Sequence, residues 1–386
     1  THDFGFAGSY SLGNRVWFDT NNDGLLNNAE VGVGGVRVEL FQDNGATPGV
    51  WDAGDTFLSF DTTDAGGYYR FDNLAAGEYV VLIPDDNFRD VGVGDTVPAN
   101  LLAGYWSSLT SAAVNGNIID ATANDPDTTV LDNDDNGSTT LTGSAIEYVA
   151  SMAVTLGPGT SEPTGEADPV TNPDAGEAPD NRSNRTVDFG FYRVDIGNLV
   201  FEDVNGDGDY DAGIDALLAG ATVQLFASDG ATEINVGPDG ILGTADDAAG
   251  GVITGAGGAY NFNGLPAGDY IVRVTPPVGF TSAVDTAAPA DTTDPDANTD
   301  NNDNGIGITG GAVSSGALTM TPGEVAANIT ITNTTGSTSD PTVDFGFVRA
   351  YSLGNRVWFD TNNNSALDAG ELGVDGVLVE LYAADG

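Results

Sequence analysis

The sequence predicts an all-β chain of tandem antiparallel β-sandwich domains with long acidic loops. Three observations predict it. The thirteen residues YSLGNRVWFDTNN stand at 10–22 and again at 351–363, with a diverged copy, DIGNLVFEDVN, at 195–205. A second phrase reads THDFGF at 1–6 and TVDFGF at 186–191 and 342–347. Between the phrases, apolar and polar residues alternate with a period of two, bounded by Gly, Asn and Asp turns, and no segment carries a helical apolar stripe. A repeating chain must be divided into its units before anything else is read.

The first phrase opens a unit and the second closes it. Residues 1–6 are then the closing strand of a preceding repeat. Residues 7–193 and 194–349 are two full β-sandwich repeats, and 350–386 is the opening segment of a further one. Each full interval is long enough for a domain with its own core. The last segment has too little apolar surface to fold alone, and the chain reads as a window on a longer repetitive protein.

In the opening strand, Leu12, Asn14, Val16 and Phe18 face one way, and Gly13, Arg15, Trp17 and Asp19 the other. Clean alternation returns at 36–40, 79–83, 149–156, 221–226, 270–274 and 327–331. A hairpin is expected at 67–79 and at 258–270. There Tyr69 and Phe71 share a face, Leu74 plugs the bend, and Gly77 permits a turn that a Cβ would resist. Several short strands per unit, separated by turn signals, suggest a sandwich. Long polar segments, 85–145 and 276–316, follow the hairpins. Loops of that length in a compact domain bind something or are ordered by something.

Ten basic residues stand against 58 acidic ones, a net charge of −48, and every basic residue is Arg. Nucleic acid and anionic membranes carry the same sign and are excluded as partners. Without cysteine there is no disulfide or thiolate metal site. No apolar run is long enough to span a bilayer. The surplus Asp serves solubility, cation binding or both; its clustering favours cations.

Residues 19–30 fit the twelve-residue calcium-loop pattern. Asp19, Asn21 and Asp23 offer side-chain oxygens at positions 1, 3 and 5, Gly24 makes the turn at 6, and Leu25 offers its carbonyl at 7. Asn27 at 9 acts through water, and Glu30 at 12 binds through both oxygens. Calcium takes six to eight oxygens, and alternate positions of a tight loop converge on one point. An ordinary polar turn is the competing reading, because Asn, Asp and Gly are turn residues anyway. The second copy has Asp203, Asn205, Asp207, Asp209 and Asp211, but Ile214 at position 12. Either Asp215 reaches in after a one-residue adjustment, or that site is weaker. The third has Asp360, Asn362, Asn364 and Glu371, with Ser365 where Gly is expected, and ranks weakest.

A second acidic segment recurs inside the long loops. Asp125, Asp127, Asp132 and Asp134 in the first repeat parallel Asp294, Asp296, Asp300 and Asp303 in the second. Carboxylates this dense repel one another unless a cation sits among them. The segment reads as a second calcium site per domain, with a solvated acidic loop as the alternative. Insertions at 51–55 and 237–247 are a third, weaker candidate.

The phrases YSLGNRVWFDTNNDG, GGYYRFDNLAAGEY and TVDFGF resemble the B-type repeats of serine-aspartate repeat surface proteins, within the wider collagen-adhesin B-domain group. The resemblance spans both full units and both fragments. It implies a prealbumin/Ig-like sandwich, calcium-dependent rigidity and a place in an extracellular surface stalk. The family's calcium loop carries over onto Asp19, Asn21, Asp23 and Glu30. Many related domains cross-link a Lys to an Asn or Asp; this chain has no Lys, so that bond cannot form.

An enzyme is not expected. The one histidine is His2, where the sister phrases carry Val187 and Val343, and no nucleophile–base set exists. The expected function is structural: a calcium-stiffened rod, stalk or filament on the cell surface. Its partners are neighbouring repeats, and calcium at the short joints fixes their angle. The alternative is an adhesin whose exposed aromatics, such as Trp51 or Trp106, bind a glycan or matrix protein. The N-x-Ser/Thr sequons at Asn136, Asn181, Asn184, Asn328 and Asn333 are within reach of chance in so Asn- and Thr-rich a chain.

Overall fold

A computed structural model describes residues 9–27, 30–89, 100–121, 123–127, 133–158, 162–163, 179–283, 295–297, 300–306, 311–321, 337–351 and 353–382. It forms two units, 1–348 and 349–386. The closing phrase at 1–6, the strand expected at 327–331, and Asp132, Asp294, Asn328 and Asn333 lie outside the described residues.

The first repeat contains β1 (Tyr10–Phe18), β2 (Arg37–Gln42), β3 (Thr56–Thr62), β4 (Tyr68–Leu74), β5 (Gly77–Pro84), β6 (Trp106–Ser107), β7 (Ser111–Ala112), β8 (Ile118–Ile119), β9 (Ser138–Thr142), β10 (Ala145–Ala150), β11 (Val154–Leu156) and β12 (Ser183–Asn184). Next comes β13, Phe189–Glu202. The second repeat continues with β14 (Ala216–Leu217), β15 (Thr222–Ala227), β16 (Glu233–Ile234), β17 (Val252–Ile253), β18 (Ala259–Leu265), β19 (Gly268–Thr275), β20 (Phe280–Ser282), β21 (Val313–Ser314), β22 (Leu318–Met320), β23 (Ser337–Asp340) and β24 (Phe345–Arg349).

Each repeat packs two sheets face to face. In the first, β3-β2-β5-β10-β9 forms one layer; in the second, β16-β15-β19-β21 does so. The facing layer is one sheet shared by both repeats, with β1 and β13 at its centre. Most pairings are antiparallel, as the alternation predicts. The closing phrase is different: it runs parallel to its opening strand, Val16 beside Phe189 and Val200 beside Phe345. A strand that closes a sandwich after a long excursion can return in the direction it left.

The expected domain boundary at 193/194 falls inside β13. Its first residues close repeat 1 and its last ones open repeat 2, so no linker separates the two. The apolar core runs through it without a break, from Leu12, Val38 and Phe189 to Val223, Phe262 and Phe345.

Both faces of β1 carry buried residues, and Trp17, on the second face, is fully buried. It packs over Gly190, where an added Cβ would come 2.8 Å from the indole. The DFGF glycine is therefore room for Trp17, and Gly346 gives the same room to Phe201. In the hairpin, the left-handed residue is Asn73 (φ 61°), matched by Gly264 (φ 68°), not Gly77. The run 149–156 also breaks at Ser151, whose N–H and hydroxyl both bond the Val81 backbone.

The second unit holds a bridge between Trp358 and Gly373 around its loop; Trp358 and Val374 are half-buried there, and its other large apolar residues are exposed. Leu353 and Leu381 are 86 % and 82 % exposed; their repeat-1 counterparts, Leu12 and Leu40, are fully buried. The same residues are covered only where the rest of a domain surrounds them.

Candidate metal centre

The loop after each opening strand folds the same way three times. The first carboxylate turns back on the loop: Asp19 accepts from the Asp23 and Gly24 N–H groups at 3.3 and 2.9 Å. Asp203 accepts from Gly206 and Gly208, and Asp360 from Asn364 and Ser365. Two left-handed residues make the bend: Asn22 and Gly24, Gly206 and Gly208, Asn363 and Ser365. Ser365 holds a conformation (φ 64°) that costs a residue with a Cβ.

The last carboxylate staples the loop shut. Glu30 accepts from Thr20 N–H at 2.7 Å and Asn27 N–H at 2.9 Å. Glu371 accepts from Thr361 and Asp368 N–H groups at 2.8 and 2.9 Å. In the second copy Asp215 accepts from Val204 and Asp211 at 2.8 and 2.6 Å. Asp215 thus fills the place of Glu30, a shorter side chain borne one residue later.

The middle of each loop holds asparagine amides. Asn21 and Asn27 both donate to the same Asp23 oxygen at 2.8 Å, and their own carbonyl oxygens are buried without a hydrogen-bond partner. Asn205 donates to Asp207 and Asp211, and Asn362 and Asn364 to Asp368. Leu25 donates its N–H to Asp23.

The second acidic segment divides. Its front end joins the sheet edge: Asp125 accepts from Asp127 N–H, Asp127 accepts from Thr155 N–H at 2.9 Å, and Asp296 from Thr319 N–H at 2.7 Å. Its back end laces onto the calcium-type loop. Leu26 N–H bonds Asn133 carbonyl and Asp135 N–H bonds Gly24 carbonyl; Tyr210 with Asn301 and Asp303 with Gly208 repeat the pattern. Asp134 lies opposite Leu25, and Asn302 opposite Asp209. Asp300 accepts from Asn198 at 3.2 Å. The two sites expected in each repeat therefore form one joined region.

Sequence reasoning missed the clamp beneath this region. Asp188, the carboxylate of DFGF, accepts from Asn14 and from Arg15 N–H, both at 3.0 Å, while Asn136 and Asp188 exchange bonds of 2.8 and 2.9 Å. Asp344 and Asn304 do the same in repeat 2, with Leu199 as the donor. The recurrence of that Asp and of the Asn-Gly pair was the available signal. Asn136 and Asn184 are buried in hydrogen bonds, so these sequons are closed to glycans.

Burial sets the electrostatics. Desolvation raises Asp19 and Glu30, against the hydrogen bonds they accept. It raises Asp135 well above the usual carboxylate range and Asp344 to about 7. Glu371 is covered by its own loop alone, and there the Asp368 and Thr361 N–H groups dominate and lower it. Among the described residues, no three acidic side chains yet converge on one point as ligands would. The donor set nevertheless fits a hard cation. It is all oxygen, it is half-buried, and it includes buried amide oxygens without partners that an amide flip would redirect.

The residues that cross between the repeats are different ones. Tyr192 O–H donates to the Thr110 carbonyl and accepts from Ala267 N–H. Trp106 Nε1 donates to the Gly264 carbonyl at 2.9 Å, and Ala112 N–H to the Ala267 carbonyl at 2.7 Å. Ser144 donates to Asp247 at 2.6 Å. Repeat 1's loop stands beside this joint, with Asp19 receiving the Ser108 hydroxyl and Asn22 the Leu109 N–H, without crossing it.

Comparison with known proteins adds the following. The family described as SdrD B-like domain matches residues 10–96, 194–314 and 351–386, more than half of the chain. Serine-aspartate repeat-containing protein F of Staphylococcus epidermidis is 27 % identical over 384 residues, 98 % of this chain and 15 % of that protein. Serine-aspartate repeat-containing protein D of Staphylococcus aureus strain Newman is 28 % identical over 379 residues, 96 % of this chain and 19 % of that protein. The chain spans under a fifth of the length of these relatives. Among solved structures, shaft pilin SpaA of Lactobacillus rhamnosus GG aligns at TM-score 0.29 and 12 % identity, over 90 % of this chain and 99 % of that one. GBS52, the minor pilin of Streptococcus agalactiae, aligns at 0.28 and 13 %, over 90 % of this chain and 100 % of that one.

Proposed function

The chain belongs to the SdrD B-like domain family, is a repeat module and not an enzyme, and from that premise we propose that it is a calcium-stiffened segment of an extracellular rod, stalk or filament. One observation carries the reading. In each full repeat, a loop of calcium-ligand spacing is laced to a second acidic segment around a buried carboxylate, Asp19 or Asp203. Burying such charges without a counter-charge is costly. A calcium ion held by Asp19, Asp23, Glu30 and the Asn21 and Asn27 oxygens would offset that cost. Asp203, Asp207, Asp211 and Asp215 are the set for repeat 2, and Asp360, Asn362, Asn364 and Glu371 for the third loop.

In this reading calcium locks the loops of each repeat, while β13 and the neutral contacts at Tyr192 and Trp106 carry the angle between repeats. Calcium is thus assigned to the loops and not to the joint itself. The polymeric partners are further repeats of the same kind, and the site of action is the cell surface. The adhesive reading loses one support, because Trp106 is buried at the joint.

The test is a thermal melt with and without a chelator. Chelation is expected to lower the transition by tens of degrees, with calcium restoring it and magnesium doing so far less. Magnesium demands a small regular octahedron and dehydrates reluctantly. A transition indifferent to chelation overturns the proposal.

A further inference from the structure

Strand β3 is the edge of the second sheet in repeat 1, bonded on one side to β2. Among the described residues no strand pairs with its other side. Edges of this kind are usually blunted by short length, proline or lysine. β3 has seven residues, TFLSFDT, with neither proline nor lysine. A bulge against Leu40 and Phe41 lets Phe57 and Leu58 both face solvent. Phe57, Leu58 and Phe60 are 47 %, 41 % and 55 % exposed. The aromatic surface continues inward: Phe57 meets Phe41, Phe41 meets Trp51, and Trp51 meets Tyr148, at centroid distances of 5.5, 5.8 and 4.6 Å.

Repeat 2 lacks this feature. The strands paired with the same side of β15 are β16 and β17, each two residues long. The contrast marks the edge as a property of repeat 1 and not of the fold.

Charge selects the occupant. Asp55 and Asp61 flank the exposed phenylalanines. The nearby Arg37 is held by Glu39 at 2.7 Å while stacking on Phe60, so its charge is already matched. A second copy of this chain carries the same net charge of −48 and would be repelled. We propose that β3 accepts an extended peptide of a different protein, alternating apolar with basic residues, as an added strand. Backbone hydrogen bonds would supply its affinity. Its apolar side chains would cover Phe57 and Phe60, and its basic ones would meet Asp55 and Asp61.

The experiment titrates the full chain, with calcium present, against three synthetic peptides of about ten residues. One alternates Val and Lys. The second is identical but N-methylated at the amides facing the edge. The third replaces Lys by Glu. The first is expected to bind at least about tenfold tighter than either other peptide. The double substitution Phe57→Ser and Phe60→Ser, at half-exposed edge side chains, should weaken it about tenfold while the chain still melts in a cooperative transition. Equal binding of the N-methylated peptide means bare charge attraction and overturns the proposal. So does an unaffected Phe57/Phe60 variant. Concentration-dependent self-association abolished by that variant would assign the edge to a second copy instead. Loss of the calcium effect on the melt would sink the preceding reading and leave this one standing.

Discussion

Glu30 and Glu371 receive hydrogen bonds from equivalent atoms, yet their carboxyls shift in opposite directions. Desolvation dominates at Glu30, and the Asp368 and Thr361 N–H groups dominate at Glu371. The loop of the first repeat should therefore depend on a counter-ion. Substituting Asp19→Asn and Glu30→Gln together should remove most of the calcium-induced rise of the first repeat's transition, measured by calorimetry. A full rise in that variant would exclude the loop as the site. Asp344 makes a pH prediction. Its folded value of about 7 lies above the ordinary aspartate value of 3.8, so the folded state holds more protons between them. Stability of the calcium-free chain then falls as pH rises through that window, by up to roughly 4 kcal/mol from this residue. Asp135 acts in the same direction. Chelated protein should melt higher at pH 5 than at pH 8, and a calcium-free melt that rises with pH contradicts the assignment. Gly190 makes a packing prediction: a Cβ there meets Trp17 at 2.8 Å and the Ser108 hydroxyl at 2.2 Å. Gly190→Ala should cost about 1–3 kcal/mol of overpacking, read from denaturant unfolding.

At the scale of elements, period-two alternation located the strands that flank each core: β1, β2, β5, β15 and β19 all fall where the pattern puts them. It failed where both faces of a strand are covered. In β1 both Val16 and Trp17, on opposite faces, are fully buried, with Gly190 of the closing strand leaving room for the indole. Alternation also missed the break at Ser151, since a side chain that replaces a ladder bond leaves the hydrophobic pattern unchanged. The metal-type loops were legible because their ligand spacing is local. The clamp that joins Asn14 to Asp188 across the sheet was not: the two are 174 positions apart, and nothing in either phrase names the other.

For the whole molecule, the decisive element is β13. A 14-residue strand common to two sandwiches leaves no hinge between them, because bending it would break ladders in both. The bonds of Tyr192 and Trp106 add a second attachment at the same place. The chain lacks cysteine, so single labels can be placed cleanly. With spin labels at Thr62→Cys and Ile253→Cys, the distance distribution should stay as narrow after chelation as before it, at temperatures below the melt. Broadening on chelation would return control of the joint to calcium. Tyr192→Phe should leave the Ala267 N–H without its partner and cost about 1–3 kcal/mol. It should broaden the same distribution.

Sequence alone determined the repeat plan, the strand-rich class, the oxygen-rich loops and the absence of any lysine cross-link, because each is a matter of residue type at short spacing. Tertiary structure alone decided that the two acidic segments of a repeat meet, that Asp215 replaces Glu30, that the domain boundary is a continuous strand, and that β3 stands open. These depend on which distant backbones are brought within hydrogen-bonding range. A local pattern carries no term for that.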